Sequence, residues 1–275
     1  MTQDMAKMAD KELFGTPSQI SMMERGRALW ALVCDDPAYS FFGRSVSLCG
    51  MTDDAFERIA ALARLQGGTA CHFFPKSELE AMTRELEDVG LGTNTHDHMR
   101  GTEPAYDAAK ALISEMNLPN DITLGVVDMA TPGEIVKDIA EVSLACGVVP
   151  VPGDAMRGHV RDGLCLAALD GAGTVVATAS SYMNNHPEGA RATDAFWGML
   201  ATRQDRRGER IGLYLGALAI VQMWENHGAR AFNAGIAQVN EPSVSLCDTL
   251  KLAATEWTFL SCVDPELYGT DSAAK

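Results

Sequence analysis

Residues Phe196–Asn226 read FWGMLATRQDRRGERIGLYLGALAIVQMWEN, and the fold turns on how they are read. The apolar run Phe196 to Thr202 predicts a strand. Arg203 to Gly212 is a charged, glycine-containing turn. Ile211 to Asn226 predicts a long amphipathic helix. A strand that feeds a helix through such a turn leaves several backbone N–H groups unpaired at the helix start. The helix dipole places partial positive charge there, and the neighbouring arginines add to it. The combination suits a pyrophosphate. An ordinary surface turn between strand and helix would show the same bare features.

At 275 residues, 47% of them hydrophobic and 21% charged, the chain has a soluble globular composition and length enough for two domains. No apolar run approaches the roughly 18 residues that a membrane span needs. The N-terminal stretch MTQDMAKMADKELFG lacks the apolar core of a signal peptide. A cytoplasmic location with no membrane partner is the expectation. Cys34, Cys49, Cys71, Cys146, Cys165, Cys247 and Cys262 are scattered without CxxC spacing. That reads as reduced, mostly buried thiols and offers no zinc pattern. A formal charge of −15 argues against nucleic acid, whose phosphates demand basic patches. It is compatible with a cationic amine drawn in by a negative field, and also with plain solubility.

Residues 1–17 read as a flexible leader closed by Gly15-Thr16-Pro17. Ile20, Met23, Leu29, Leu32 and Val33 give helical spacing over Ser18 to Cys34. Arg44 to Cys49 alternates as a strand. Thr52 caps a helix to about Gln66, closed by Gly67-Gly68. Thr69 to Phe74 is strand-like. Ser77 to Glu80 forms a capping box for a helix that ends at Gly90. Gly92 to Met99 is another strand. His96 and His98 share one of its faces, but without a third metal ligand a polar surface strand is expected. Residues 104–120 read as a connection between an N-terminal α/β domain (18–103) and a second domain (121–266). The second domain opens with a strand, Ile122 to Val127. A helix follows from a capping box at Thr131 to Glu134, with Pro132 in its first turn. A short helix follows Pro150 to Gly153. Leu164 to Leu169 and Thr174 to Tyr182 form a hairpin around Asp170 to Gly173. A polar loop, Asn184 to Thr193, leads into the strand–turn–helix stretch. A strand from Ala229, a helix from Asn240 and a last strand to Val263 complete it, and 267–275 is a flexible tail. The strand–helix–strand order of Thr69 to Met99 recurs in Ala229 to Cys262 as a faint internal repeat; an unrelated α/β cap is the alternative. By pattern alone the class is mixed α/β.

Arg207-Gly208-Glu209-Arg210-Ile211-Gly212, after the strand end Leu200-Ala201-Thr202, resembles the acetyl-CoA pyrophosphate loop of the GNAT superfamily. That pattern is Gln/Arg-x-x-Gly-x-Gly/Ala between a strand and a helix. Arg207 matches its first position and Gly212 its last, while Arg210 stands at the usual middle glycine. Asn240-Glu241-Pro242-Ser243-Val244-Ser245-Leu246-Cys247 resembles the family's later Asn-x-x-Ala-x-x-Leu-Tyr helix, with Cys247 in place of the tyrosine. The resemblance covers roughly residues 120–265. It implies a GNAT-like acyl-CoA N-acyltransferase fold with a mixed α+β sheet, and an N-terminal domain that is a degenerate second copy without the loop.

The resemblance also implies a reaction: N-acetyl transfer from acetyl-CoA, as co-substrate, to a primary amine on a small cationic acceptor, by direct attack in a ternary complex and with no metal. Arg207 and the N–H groups of Gly208, Arg210 and Gly212 would hold the pyrophosphate. Leu200 and Thr202 would line the pantetheine arm, and Asn240 and Ser243 would bind further cofactor atoms. Asp194 is the candidate base, ahead of Glu188 and His186, and Cys247 the candidate acid for the departing thiolate. Ser243, Ser245 or water could replace Cys247. Met156, Met183 and Met199 are candidates for an acceptor pocket, Trp197 and Trp257 for the core, and Gly212 and Gly216 for close helix packing. A non-catalytic acyl-CoA-binding regulatory module and a protein N-acetyltransferase are the alternatives. Homodimerisation is left open.

Overall fold

The computed structural model describes residues 12–237 and 239–268. The first half holds α1 (Pro17–Val33), β1 (Tyr39–Ser40), β2 (Ser47–Gly50), α2 (Ala55–Gln66), β3 (Gly68–Pro75), α3 (Leu79–Asp88) and β4 (Gly92–Gly101). After α4 (Glu103–Glu115) come β5 (Thr123–Val126), α5 (Gly133–Ala145), α6 (Gly153–Met156), β6 (Gly163–Leu169) and β7 (Val175–Tyr182). The chain closes with β8 (Asp194–Thr202), α7 (Ile211–Asn226), β9 (Ala231–Ile236), α8 (Glu241–Thr249), β10 (Ala253–Val263) and α9 (Pro265–Tyr268).

Local chemistry explains most boundaries. α1 starts on a capping box that pattern reading passed over. Thr16 Oγ1 accepts from the Gln19 N–H (3.3 Å), and the Gln19 side chain accepts from the Thr16 N–H (2.9 Å). The boxes expected at Ser77 and Thr131 do not form. Residues Lys76–Glu78 make a 3₁₀ turn instead, and Thr131 turns its hydroxyl onto Asp128 at 3.0 Å. Thr52 contributes only its carbonyl, to the Ala55 N–H, so α2 begins at Ala55. It ends at Gly67, whose φ of +97° is the left-handed cap that glycine supplies freely.

Two terminal expectations need correction. Glu12, read as part of a flexible leader, accepts two hydrogen bonds from Arg157 (2.8 and 3.2 Å), and its carbonyl accepts from the Gly153 N–H (2.9 Å). Leu267 and Tyr268, read as tail, belong to α9, and Tyr268 is buried. Residues 1–11 and 269–275, where the remainder of both expectations falls, lie outside the described residues. Most of the connection expected at 104–120 is α4, which packs along α7.

Among the described residues, ten strands form one sheet in the order β1-β2-β3-β10-β4-β9-β8-β7-β6-β5. β2 with β3 and β8 with β9 pair parallel, each pair linked by a helix (α2, α7); the other neighbours are antiparallel. The unit β2–α2–β3–α3–β4 thus repeats as β8–α7–β9–α8–β10, which extends the faint repeat legible in the sequence. The last strands of the two units are exchanged. β4 has two second-half neighbours, β10 and β9, and β10 has two first-half neighbours, β3 and β4.

α4, α7 and α8 cover one face of the second half, around Leu166, Trp197, Leu215 and Ile220. α5 and α6 cover the other, around Ile139, Met156, Tyr182 and Phe196. Residues of β8 alternate between these two cores from Ala195 to Trp197 and again from Met199 to Ala201, with a break in the alternation at Gly198. The first half closes on Leu48, Ile59, Phe74 and Leu86, joined by Leu260 from β10. That exchange overturns one more expectation. β4 is a central strand, so His98 is fully buried against the rings of Phe73, Trp257 and Phe259 rather than on a polar surface. Trp197 is core as expected, whereas Trp257 is only half-buried. No described helix is long and apolar enough to cross a membrane, and no cluster of described side chains could hold a metal ion.

Candidate functional site

The parallel strands β8 and β9 stay together for three pairs only: Asp194 with Ala231, Ala195 with Phe232, Phe196 with Asn233. Beyond Phe196 they part. From Trp197 to Thr202 the β9-facing edge of β8 has no partner strand among the described residues, so its backbone groups are open. A β-bulge drives the split. Ser180 pairs with Gly198 and Thr178 with Ala201, which leaves Met199 and Leu200 opposite Ala179 alone. Met199 takes a left-handed φ of +52° to achieve this. A bulge bends its strand and strengthens the twist, here away from β9. Gly198 in the middle of an apolar strand was the one sequence sign of it. At the apex the Asn233 carboxamide donates to the Ala195 carbonyl (2.9 Å) and ties the strands together.

Because β8 and β9 are parallel and each runs into a helix, α7 and α8 both begin at the open end of the fork. The α7 start is uncapped by any side chain. The N–H groups from Gly208 through Leu213 donate to no acceptor among the described residues. Gly208 (φ +86°) and Arg210 (φ +61°) are both left-handed, which curls these N–H groups into a concave row suited to an anion. A side chain at Gly212 would meet Thr202 Oγ1 at 2.9 Å, so the loop crosses the strand end closely only because that residue is glycine.

The four arginines of the loop divide into two pairs. Arg203 is bound to Asp205 (2.7 Å) and Asp170 (3.4 Å), and Arg206 to Asp121 and Glu209 (both 2.9 Å). They brace the turn. Arg207 and Arg210 are exposed and have no carboxylate partner among the described residues. Arg207 instead donates to the Thr202 carbonyl at 3.3 Å and lies 3.6 Å from the Cys146 sulfur. Beside it opens a cleft of about 350 Å³, lined by Arg203, Arg207, Cys146, Glu141, Asp138 and Val142 among others. The contribution of the α5 end to this cleft was not legible in the sequence, since nothing local ties residues 138–146 to residue 207.

The expected cofactor-binding residues therefore gather at one end: Leu200 and Thr202 on the strand end, Arg207, Gly208, Arg210 and Gly212 on the loop, Asn240 and Ser243 at the start of α8. Asn240 caps α8, its side chain accepting from the Ser243 N–H at 3.2 Å. The two expected catalytic groups lie elsewhere. Asp194 starts β8 at the closed end of the fork, five residues or about 16 Å of strand from the bulge. It is buried and accepts two hydrogen bonds from one edge of the Arg100 guanidinium, from Nε (2.9 Å) and a terminal nitrogen (3.1 Å). Cys247 is fully buried on α8, packed in the core with Leu250 and Leu252, and burial pushes its thiol up to about 12. Met156 is core rather than pocket lining. Gly216 does permit close packing: its carbonyl accepts from the Trp197 indole at 2.9 Å, where a Cβ would meet that ring.

Comparison at the level of sequence finds no matching family model and no matching curated protein. At the level of structure the likeness is broad. A GCN5-related N-acetyltransferase from Kribbella flavida is similar over 90% of this chain and 96% of its own, with 13% identity and a TM-score of 0.54. A tandem GNAT protein from the clavulanic acid biosynthesis pathway is similar over 76% of this chain and 67% of its own, with 16% identity and a TM-score of 0.51. A Drosophila protein is similar over 96% and 97%, with 10% identity and a TM-score of 0.53. With its split parallel strands and its loop at the start of α7, the chain has the GNAT fold, and the first half, which repeats only the β8–α7–β9–α8–β10 part of it, shares the same sheet.

Proposed function

We propose that the chain is an acyl-CoA-dependent N-acyltransferase that moves an acetyl group from acetyl-CoA to a primary amine. The observation that carries this reading is the fork itself. One strand bulges away from its parallel neighbour, and a row of N–H groups without acceptors, with two guanidiniums that have no carboxylate partner among the described residues, stands at its mouth. In this reading the diphosphate binds the N–H row and Arg207. The pantetheine amides pair with the open edge of β8, as an added strand would. The amine attacks the thioester carbonyl from the closed end and the carbonyl oxygen gains negative charge beside backbone N–H groups of the bulge; as the C–S bond breaks, CoA leaves as the thiolate and takes up the proton that the newly bonded nitrogen releases. The ammonium proton is lost to water before attack. A small cationic acceptor and a cytoplasmic setting are part of the proposal, as is one acyl-CoA per chain. The turn between β2 and α2, Met51-Thr52-Asp53-Asp54, presents carboxylates where the second half presents arginines.

A second reading, a non-catalytic acyl-CoA-binding module, is favoured by the placement of Cys247 and Asp194. One is sealed in the core and the other is locked in an ion pair. Two measurements separate the readings. Acetyl-CoA should raise the thermal midpoint by mass action; no rise at millimolar acetyl-CoA removes both. Thiol release should then appear with at least one member of an amine panel, and binding without release from any amine would leave the regulatory module standing.

A further inference from the structure

We propose that Phe73 and Trp257 form a slot for an organic cation of the guanidinium or alkylammonium class, and that Arg191 is its built-in occupant. The two rings meet edge to face with centres 5.5 Å apart. The Arg191 guanidinium lies 4.4 Å from both ring centres, and one of its nitrogens is 3.8 Å from Asp194. Two aromatic faces with a carboxylate behind them are the recognition chemistry of a partly desolvated cation.

The occupant is weakly held. Arg191 makes no side-chain hydrogen bond among the described residues: its nearest approach to Asp194, whose two oxygens each accept from Arg100, is 3.8 Å. It belongs to the loop between β7 and β8, and its side chain stays partly exposed. Emptying the slot would cost the cation–aromatic contacts and the long ion pair to Asp194, and an incoming cation would restore both.

The position is informative. Asp194 lies two residues, about 7 Å of strand, before the apex of the fork at Phe196. Phe73 comes from β3 and Trp257 from β10, so the slot exists only because the two halves share a sheet. As an acceptor subsite the slot rests on the acyl-transfer reading; as a cation site it does not, and its test uses no acyl donor.

The test is fluorine NMR on protein labelled with 5-fluorotryptophan. The chain has four tryptophans, and Trp257→Phe assigns the relevant resonance. In Arg191→Ala, methylguanidinium should shift that resonance saturably, whereas N-methylurea, of the same shape without the charge, should not. Wild type should need about tenfold more methylguanidinium, because its own tethered guanidinium competes at high effective concentration. Adding Phe73→Leu to the variant removes one wall and should weaken binding by about fivefold, the share expected of one of two aromatic faces. The proposal is overturned if the variant gives no saturable shift, if methylurea acts like the cation, or if wild type titrates like the variant. The other three resonances report folding. Should Arg191→Ala not fold, Arg191→Gln, which keeps the bulk, gives the same comparison. A negative result here leaves acyl transfer standing, and failure to bind acetyl-CoA leaves this result standing.

Discussion

Arg210 adopts a backbone conformation that an L side chain resists, with a φ of +61° at the N-terminal boundary of α7. Such strain costs on the order of 1–3 kcal/mol and persists where the surroundings impose it. Arg210→Gly should therefore raise stability by about 1 kcal/mol, read as a higher urea midpoint at unchanged slope. It should also weaken acetyl-CoA binding if the guanidinium meets the diphosphate. A variant that is no more stable would show that the loop is unstrained. Arg207→Ala should cost a charge-assisted hydrogen bond, about 1.5–3 kcal/mol of acetyl-CoA affinity by calorimetry. Arg206→Ala is the control. Its guanidinium is already neutralised by Asp121 and Glu209, so it should affect stability more than affinity. Equal affinity losses for the two variants would refute the division of the loop arginines into bracing and binding pairs.

Among the elements, those with strong periodicity were legible from the sequence and those shaped by long-range contact were not. The strand–turn–helix of residues 196–226 was readable because its apolar run, glycines and long helix are local signals. The fork was not, because the bulge at Met199 depends on register with β7. The burial of His98 at the far end of β4 was not, because the polar run Thr93 to His98 reads as a surface strand, which its first residues are, while β10 and β9 flank its later residues on both edges. That burial has a titration consequence. His72 and His98 lie in a ring cluster with Phe42, Phe73, Trp257 and Phe259. His72 bonds Ser40 and Asn184, and His98 bonds Thr255. Burial lowers both, with Arg44 adding to the effect on His72 and with His72, Arg100 and Arg191 adding to that on His98, which brings them down to about 4 and about 3. Both are thus depressed in the folded state. The unfolded chain takes up protons below about pH 6.5 that the native state refuses, so stability is full above 6.5 and falls as pH drops. The expected loss between pH 6.5 and 5.5 is about 2 kcal/mol, above the range where most carboxylates titrate. Urea midpoints at both pH values measure it, and His98→Gln should remove about half the slope. A midpoint that is flat with pH would mean that the pair is hydrated and normally basic.

For the whole molecule, a sequence boundary and a structural one part company. Reading along the chain placed a connection at 104–120 and two domains beside it, since prolines and a polar stretch gather there. No local signal reveals that β4 and β10 change places, because the exchange concerns partners far apart in sequence. Its cost to independence is large. Cut after Gly101, the second half keeps the fork and the loop, but β10 loses β3 and β4 and β9 loses β4. Leu260 and Cys262, fully buried in the first half's core, would face water. Backbone groups stripped of partners and apolar area returned to solvent each work against folding. The intact chain should then unfold in one cooperative transition, with circular dichroism and tryptophan fluorescence coincident. Residues 104–275 alone should bind a hydrophobic dye, lack a cooperative transition and fail to bind acetyl-CoA, while co-expression with residues 1–103 should restore all three properties. If 104–275 unfolds cooperatively and binds acetyl-CoA by itself, the exchanged strands are an ornament on an autonomous domain rather than the joint that makes two halves one protein.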